Sequence, residues 1–178
     1  HGNQAASAVA NTMRELSGVD FLFMQACYVA NDIYKGDYSQ KDLAYIAKND
    51  GGWPGRMELT GDQIYALVER TLSMTGNRGA VCNDSTLYVS SGFVMDITKT
   101  EEGYVLNGLT VDGEELDRSA KYSFLVYGDR DWYMTDVMEQ IGVTEVDTSG
   151  PKAEGYLYMR LVEQGGQLEA PTDYIILR

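Results

Sequence analysis

The residues of this chain that could do acid–base or metal chemistry are mostly acidic side chains beside turn signals. Glu101-Glu102 precedes Gly103, and Glu114-Glu115 follows Asp112-Gly113. Carboxylates at turns are typically solvated, so we interpret neither pair as a metal site or an acid–base pair. The sequence has one histidine, His1, and no Gly-x-Ser-x-Gly motif. Because a serine or threonine nucleophile needs a neighbouring base, we predict that this chain alone does not catalyse hydrolysis.

The two cysteines, Cys27 and Cys82, do not form a metal-binding set. They are compatible with one disulfide or with two buried thiols, and two buried thiols is the simpler interpretation. Without an internal histidine, no histidine–cysteine zinc site can be assembled. We therefore expect no metal or other cofactor in this chain.

The charge of the chain restricts its partners. Its 178 residues carry a formal net charge of −13, which repels phosphate backbones, so we predict no nucleic-acid binding. No apolar run reaches the roughly 18 residues that a membrane-spanning helix needs. The chain begins at His1-Gly2 without a methionine or a signal segment. We interpret it as an excised or processed fragment, with His1-Gly2 a cloning remnant.

The clearest local signal is a strand that runs into a capped helix. Thr60 can accept from the first free amides of a helix, and Gln63 can reach back to the amide of Thr60. Ile64, Leu67 and Val68 follow at helical spacing. We predict a helix from Gly61 to about Met74 that buries these three residues.

Other helices and strands mix without a regular alternation. We predict helices that end at Gly18, begin at Ser39 and are capped by Thr135, a final helix around Leu157, and a loop at 49–55 that includes Trp53-Pro54-Gly55. Residues 21–24 and 174–177 are predicted strands, and residues 86–127 a β-meander with a hairpin at Asp112-Gly113. The predicted class is α+β, a single domain over residues 1–178 with a mixed β-sheet and packed helices.

The order of these elements resembles the C-terminal domain of the 5'-nucleotidase family. The resemblance runs from about Ala6 to Tyr133. It is carried by these segments and residues: Asn11-Thr12-Met13-Arg14, Asp20, Gly36, Ser39, Leu59-Thr60-Gly61, Ser91-Gly92-Phe93 and Tyr122. The resemblance implies a domain that recognises the nucleoside part of a substrate. It also implies a preceding two-metal phosphoesterase domain, which would hold the divalent metals.

The resemblance also implies where a ligand would lie, although the binding loops have changed. The family's Asn-Gly-Gly-Gly-Ile-Arg loop falls on residues 25–30, where Gln25 keeps an amide, Tyr28 replaces a glycine and Ala30 replaces the phosphate-binding arginine. The predicted site lies where residues 25–28 face residues 127–133. Its substrate-binding residues are predicted to be Asp131, Tyr133, Trp132, Tyr127, Gln25 and Tyr28.

Two functions remain open for the sequence. The first is a nucleotide- or nucleoside-recognition domain of a 5'-nucleotidase-like hydrolase, whose partner is an N-terminal metallophosphoesterase domain of the same polypeptide. The second is a divergent non-catalytic binding or interaction module of an exported surface protein. In both cases the resemblance implies an extracellular, cell-surface or periplasmic location. Loss of the arginine leads us to expect a nucleoside or sugar to bind at least as well as its phosphate.

Overall fold

The computed structural model describes residues 4–29, 33, 36–47, 52–74, 88–101, 103–129, 137–165, 167–168 and 175–177. Its helices are α1 (Gln4–Ser17), α2 (Gln40–Ile46), α3 (Gly61–Met74) and α4 (Ala153–Tyr158). A 3-10 turn (Ala26–Tyr28) follows the first strand, and a π-helical turn (Met159–Glu163) extends α4. The strands are β1 (Phe21–Gln25), β2 (Gly52–Thr60), β3 (Tyr88–Ser91), β4 (Val94–Thr100), β5 (Gly103–Val111), β6 (Glu114–Glu115), β7 (Lys121–Asp129) and β8 (Ile175–Leu177).

The strands form two four-stranded mixed sheets. The first sheet has the order β2-β7-β1-β3, and the second has the order β6-β5-β4-β8. Strand β1 is parallel to β7, and β4 is parallel to β8, while the other pairs are antiparallel. The predicted α+β class with a mixed sheet is confirmed. The predicted meander over residues 86–127 is wrong, because β3 and β7 lie in the first sheet and β4 to β6 in the second.

The two faces of the first sheet pack into different cores. Alternate side chains point to opposite faces of a strand, so Phe21 and Phe23 face α3 and the second sheet, while Leu22 and Met24 face α1, α2 and α4. Strand β7 divides in the same way. The first sheet is therefore a central layer, buried on both sides.

The Thr60 cap is present as predicted. The amide of Gln63 donates to the Thr60 hydroxyl (3.2 Å), and the amide of Thr60 donates to the Gln63 side-chain oxygen (2.9 Å). Gly61 lies so close to the chain at Asp117 that a Cβ would come within 2.1 Å of the Asp117 carbonyl oxygen. Ile64, Leu67 and Val68 are fully buried, as predicted, and they fix α3 between the sheets. The Thr60 cap and the close packing of Gly61 therefore fix the point at which β2 ends and α3 begins.

Other predicted boundaries also hold. Gly18 follows α1 with a left-handed backbone (φ 67°), and its amide donates to the Arg14 carbonyl. Ser39 caps α2 in a reciprocal capping box with Asp42. The final predicted helix is α4 with its π-helical extension. Asp112 and Gly113 both have positive φ, as a two-residue hairpin requires. Thr135, residues 48–51 and Tyr174 lie outside the described residues.

Two further sequence expectations are wrong. Trp53-Pro54-Gly55 is not a loop, because β2 begins at Gly52 and pairs with β7 along its whole length. Pro54 is tolerated because β2 is the edge strand of its sheet, where a missing amide donor costs no ladder bond. Cys27 is disulfide-bonded, which overturns the interpretation of two buried thiols, and Cys82 lies outside the described residues. Among the described helices, none has the length and apolar character to span a membrane.

Candidate functional site

The predicted site residues that the structure describes lie where the parallel strands β1 and β7 end. Gln25 is the last residue of β1, and Asp129 is the last residue of β7. Ligand sites of open α/β sheets commonly lie beyond the carboxyl ends of parallel strands. The structure thus brings Gln25, Tyr28 and Tyr127 to one end of the central sheet, but it does not give them one common surface.

The amide of Gln25 is buried and hydrogen-bonded within the protein. Its oxygen accepts from the backbone amide of Asp129 (3.1 Å), and its nitrogen donates to the Tyr88 hydroxyl (3.1 Å). A backbone amide can only donate, so these contacts fix which way the carboxamide points. Burial raises the pKa of Tyr88 above its usual value, so this hydroxyl stays protonated. Gln25 therefore ties β1, β3 and the end of β7 together.

A row of four residues crosses all strands of the first sheet at this end. Trp53 pairs with Gly128, and Gln25 pairs with Tyr88. Gly128 is next to Gln25, since a Cβ on Gly128 would come within 2.7 Å of the Gln25 side-chain oxygen. By strand alternation, all four face the α3 side. Tyr88 was missed by sequence reasoning, because only the β1–β3 register reveals its position opposite Gln25.

Tyr28 and Tyr127 lie on the opposite face of the sheet. Their rings pack edge to face, with centroids 5.8 Å apart, and both are buried in the core that α1, α2 and α4 cover. The Tyr127 hydroxyl accepts from the backbone amide of Ala153, the first residue of α4 (3.3 Å). Burial raises the pKa of Tyr127 above its usual value. Here both rings serve as packing between the sheet and the helices.

Trp53 is an exposed aromatic residue on β2, beside the end of β7. Its side chain is 39% exposed, and the Lys152 ammonium lies 4.6 Å from its ring centroid. An ammonium over an indole face is a favourable cation–π contact. The other three predicted site residues, Asp131, Trp132 and Tyr133, lie outside the described residues, and their binding role stays a prediction.

No metal centre is evident in the part of the chain that the structure describes. In that part, no group of three or more histidine, cysteine, aspartate or glutamate side chains could hold a metal ion. Two exposed aspartates, Asp117 and Asp147, accept hydrogen bonds from the serine two residues later. These bonds lower the pKa of each carboxyl and make it part of a turn.

The family model described as "5'-nucleotidase, C-terminal domain" matches residues 2–128. No curated protein matches the sequence significantly. Three solved structures share the fold at low identity. They are a 5'-nucleotidase precursor from Thermus thermophilus (16% identity, TM-score 0.67), an NAD nucleotidase from Haemophilus influenzae (18%, 0.74) and a sulfate thiohydrolase from Thermus thermophilus (17%, 0.66).

These alignments cover nearly all of this chain and a minor part of the other proteins. They include 99%, 98% and 96% of this chain, but 35%, 33% and 31% of the respective solved chains. This chain thus spans about a third of the length of the proteins whose fold it shares. The family match extends over most of the sequence, from α1 to the end of β7. The chain therefore belongs to the 5'-nucleotidase C-terminal domain family.

Proposed function

We propose that this chain is the nucleoside-recognition domain of a 5'-nucleotidase-like hydrolase and has no catalytic activity alone. The observation that carries the proposal is the match of this chain to about a third of the length of two nucleotidases. An N-terminal metallophosphoesterase domain of the same polypeptide would supply the divalent metals and the hydrolytic chemistry.

The proposed ligand is a nucleoside or a sugar, bound beyond the ends of β1 and β7. Asp131 would accept from vicinal hydroxyls, and Trp132 or Tyr133 would supply an apolar ring face. Gln25, Tyr28 and Tyr127 would support this site from beneath, since the polar atoms of Gln25 and Tyr127 are engaged inside the protein and the Tyr28 ring is buried against Tyr127. Trp53 offers a further ring from β2.

The proposed location is extracellular, cell-surface or periplasmic. Disulfides persist mainly in oxidising compartments, and Cys27 is disulfide-bonded.

The charge of the chain bears on the ligand. A net charge of −13 would not attract anionic ligands without a local cation.

A second function is favoured by the burial of three of the predicted binding residues. Gln25, Tyr28 and Tyr127 are 8%, 3% and 1% exposed, so none offers a ligand a free side-chain surface. This burial is expected of a divergent module of an exported surface protein. Such a module would keep the scaffold and bind another molecule or a protein.

A phosphate-release assay with AMP shows whether this chain alone catalyses hydrolysis or whether a larger polypeptide is needed. We expect the full-length gene product to release phosphate with added Mg²⁺ or Mn²⁺, and this chain alone to match a blank. Metal-dependent release by the chain alone would overturn the proposal. Failure of the full-length protein to hydrolyse any nucleotide would favour the interaction module.

A further inference from the structure

Strand β2 lies at the edge of the first sheet, so every second residue turns its backbone amide and carbonyl away from β7. Pro54 has this outward orientation but carries no amide hydrogen. The Arg56 amide donates to the Asp147 carbonyl (2.8 Å), and the Asp147 amide donates back to the Arg56 carbonyl (2.9 Å). The Thr60 amide donates to the Gln63 side chain (2.9 Å). These three positions therefore offer no free amide to another strand.

Glu58 has the same outward orientation, because it lies two residues from both Arg56 and Thr60. Its partner on β7 is Ser123, whose amide and carbonyl both bond to Asp20, so both point away from Glu58. No hydrogen bond from the described part of the chain reaches the outward amide and carbonyl of Glu58. Glu58 is therefore an open strand position between two closed ones.

A cleft of about 800 Å³ opens beside this position. Its walls include the β2 residues from Arg56 to Glu58, the Gln63 side chain and the segment 142–147. That segment pairs with β2 through the isolated bridge of Asp147 to Arg56, and the two then separate around the cleft. The roughly 14 Å of strand edge between Arg56 and Thr60 can accommodate an extended peptide of about three residues.

The charge of the cleft favours a basic partner. Its lining includes three carboxylates, those of Glu58, Glu145 and Asp147, and one guanidinium, that of Arg56. The Glu58 carboxylate is paired with Lys121 (2.8 Å), whereas Glu145 is exposed and forms no ion pair with the described residues. The net charge of −13 extends this acidic field over the whole chain, so it attracts a cationic segment and repels an acidic one.

We propose that this cleft binds an extended basic segment of a partner protein, which adds one strand residue to the edge of β2. The peptide residue opposite Glu58 donates its amide to the Glu58 carbonyl and accepts from the Glu58 amide, as in an antiparallel pair. The cleft lies away from the Gly52 end of β2, beside which the proposed nucleoside site is located. The peptide site therefore does not depend on nucleoside recognition.

Binding of capped tripeptides, followed by NMR at the Glu58 amide, tests the proposal. The first probe is acetyl-Thr-Lys-Thr-amide, titrated up to about 10 mM. We expect it to shift the Glu58 amide resonance and to slow the exchange of that amide with solvent. Methylation of the backbone nitrogen of the central lysine removes the donor and should weaken binding about 5–10-fold. Methylation of the last threonine nitrogen, which points away from β2, should change binding little.

Two substitutions at residue 58 separate the backbone from the side chain. Glu58→Pro removes the outward amide and should fold, because Pro54 has the same orientation four residues earlier on the same edge strand. Glu58→Ala removes the carboxylate and keeps the amide. We expect Glu58→Pro to bind the lysine peptide about 5–10-fold more weakly than Glu58→Ala does. If Glu58→Pro does not fold, the two methylated peptides provide the same comparison on the wild-type protein.

A shift and slower exchange at Glu58, lost with the methylated lysine but not with the methylated threonine, supports the proposal. If the Glu58 amide of the free protein is as protected from exchange as that of Arg56, the edge is already closed and the proposal is wrong. Equal binding of the two methylated peptides, or no shift at Glu58, would also overturn it. Tighter binding of acetyl-Thr-Glu-Thr-amide would contradict the basic character of the partner.

Discussion

The carboxylate of Asp20 accepts two hydrogen bonds from Ser123, one from its amide (2.8 Å) and one from its hydroxyl (2.7 Å). The Asp20 amide in turn donates to the Ser123 carbonyl (3.1 Å) and hydroxyl (2.9 Å). These bonds join the entry of β1 to β7, the parallel strand beside it. Asp20 is one of the residues that carries the family resemblance, and in this structure it links two neighbouring strands of the central sheet.

Replacing Asp20 with alanine should destabilise the protein without changing its fold. Two bonds to a charged acceptor are lost, and the Ser123 groups at the sheet end return to water. We expect a loss of about 1–3 kcal/mol in the free energy of unfolding, measured by urea titration. Glu101→Ala, which removes an exposed carboxylate at the β4–β5 turn, is the matched control and should change stability little. Equal effects of the two substitutions would contradict the proposed role of Asp20.

The capping box of α2 should make stability depend on acid pH. The hydrogen bonds from Ser39, first from its side chain and then from its amide, lower the pKa of Asp42 below its usual value. A lowered folded-state pKa contributes stability above the unfolded-state pKa, and that stability is lost as pH falls through the folded-state pKa. The advantage of the wild-type protein over Ser39→Ala should thus be greatest near neutral pH. It should shrink as pH falls below about 4. Thermal unfolding from about pH 3 to 7 checks this, and a constant difference would speak against it.

The disulfide at Cys27 predicts how the thiols react. The denatured but unreduced protein should show no thiol reactive to a chromogenic disulfide reagent. After reduction it should show two, since the chain has two cysteines. Free thiols in unreduced protein made in an oxidising compartment would contradict the bond.

Local signals were enough to predict where helices begin. Long-range strand pairing decided which segments became strands and how the sheets are arranged. Thr60 with Gln63, and Ser39 with Asp42, were readable because each cap involves residues three apart. Trp53 and Pro54 have turn-like composition, but β7 draws them into an edge strand.

For the same reason, the sequence could not show on which face of the sheet each candidate site residue lies. Gln25 and Tyr28 are close in sequence, yet the end of β1 and the 3-10 turn place them on opposite faces of the sheet. Tyr88 joined Gln25 only through the β1–β3 register. No local pattern in the sequence contains that information.

Calorimetry with adenosine and AMP tests the central claim, that this is a recognition domain without a phosphate site, most directly. The family resemblance predicts that Ala30 replaces a phosphate-binding arginine, and the net charge of −13 disfavours an added phosphate. We predict that adenosine binds at least as tightly as AMP, with a heat signal that Asp131→Ala removes. Clearly tighter binding of AMP would contradict the account, because it would require a phosphate site among these residues.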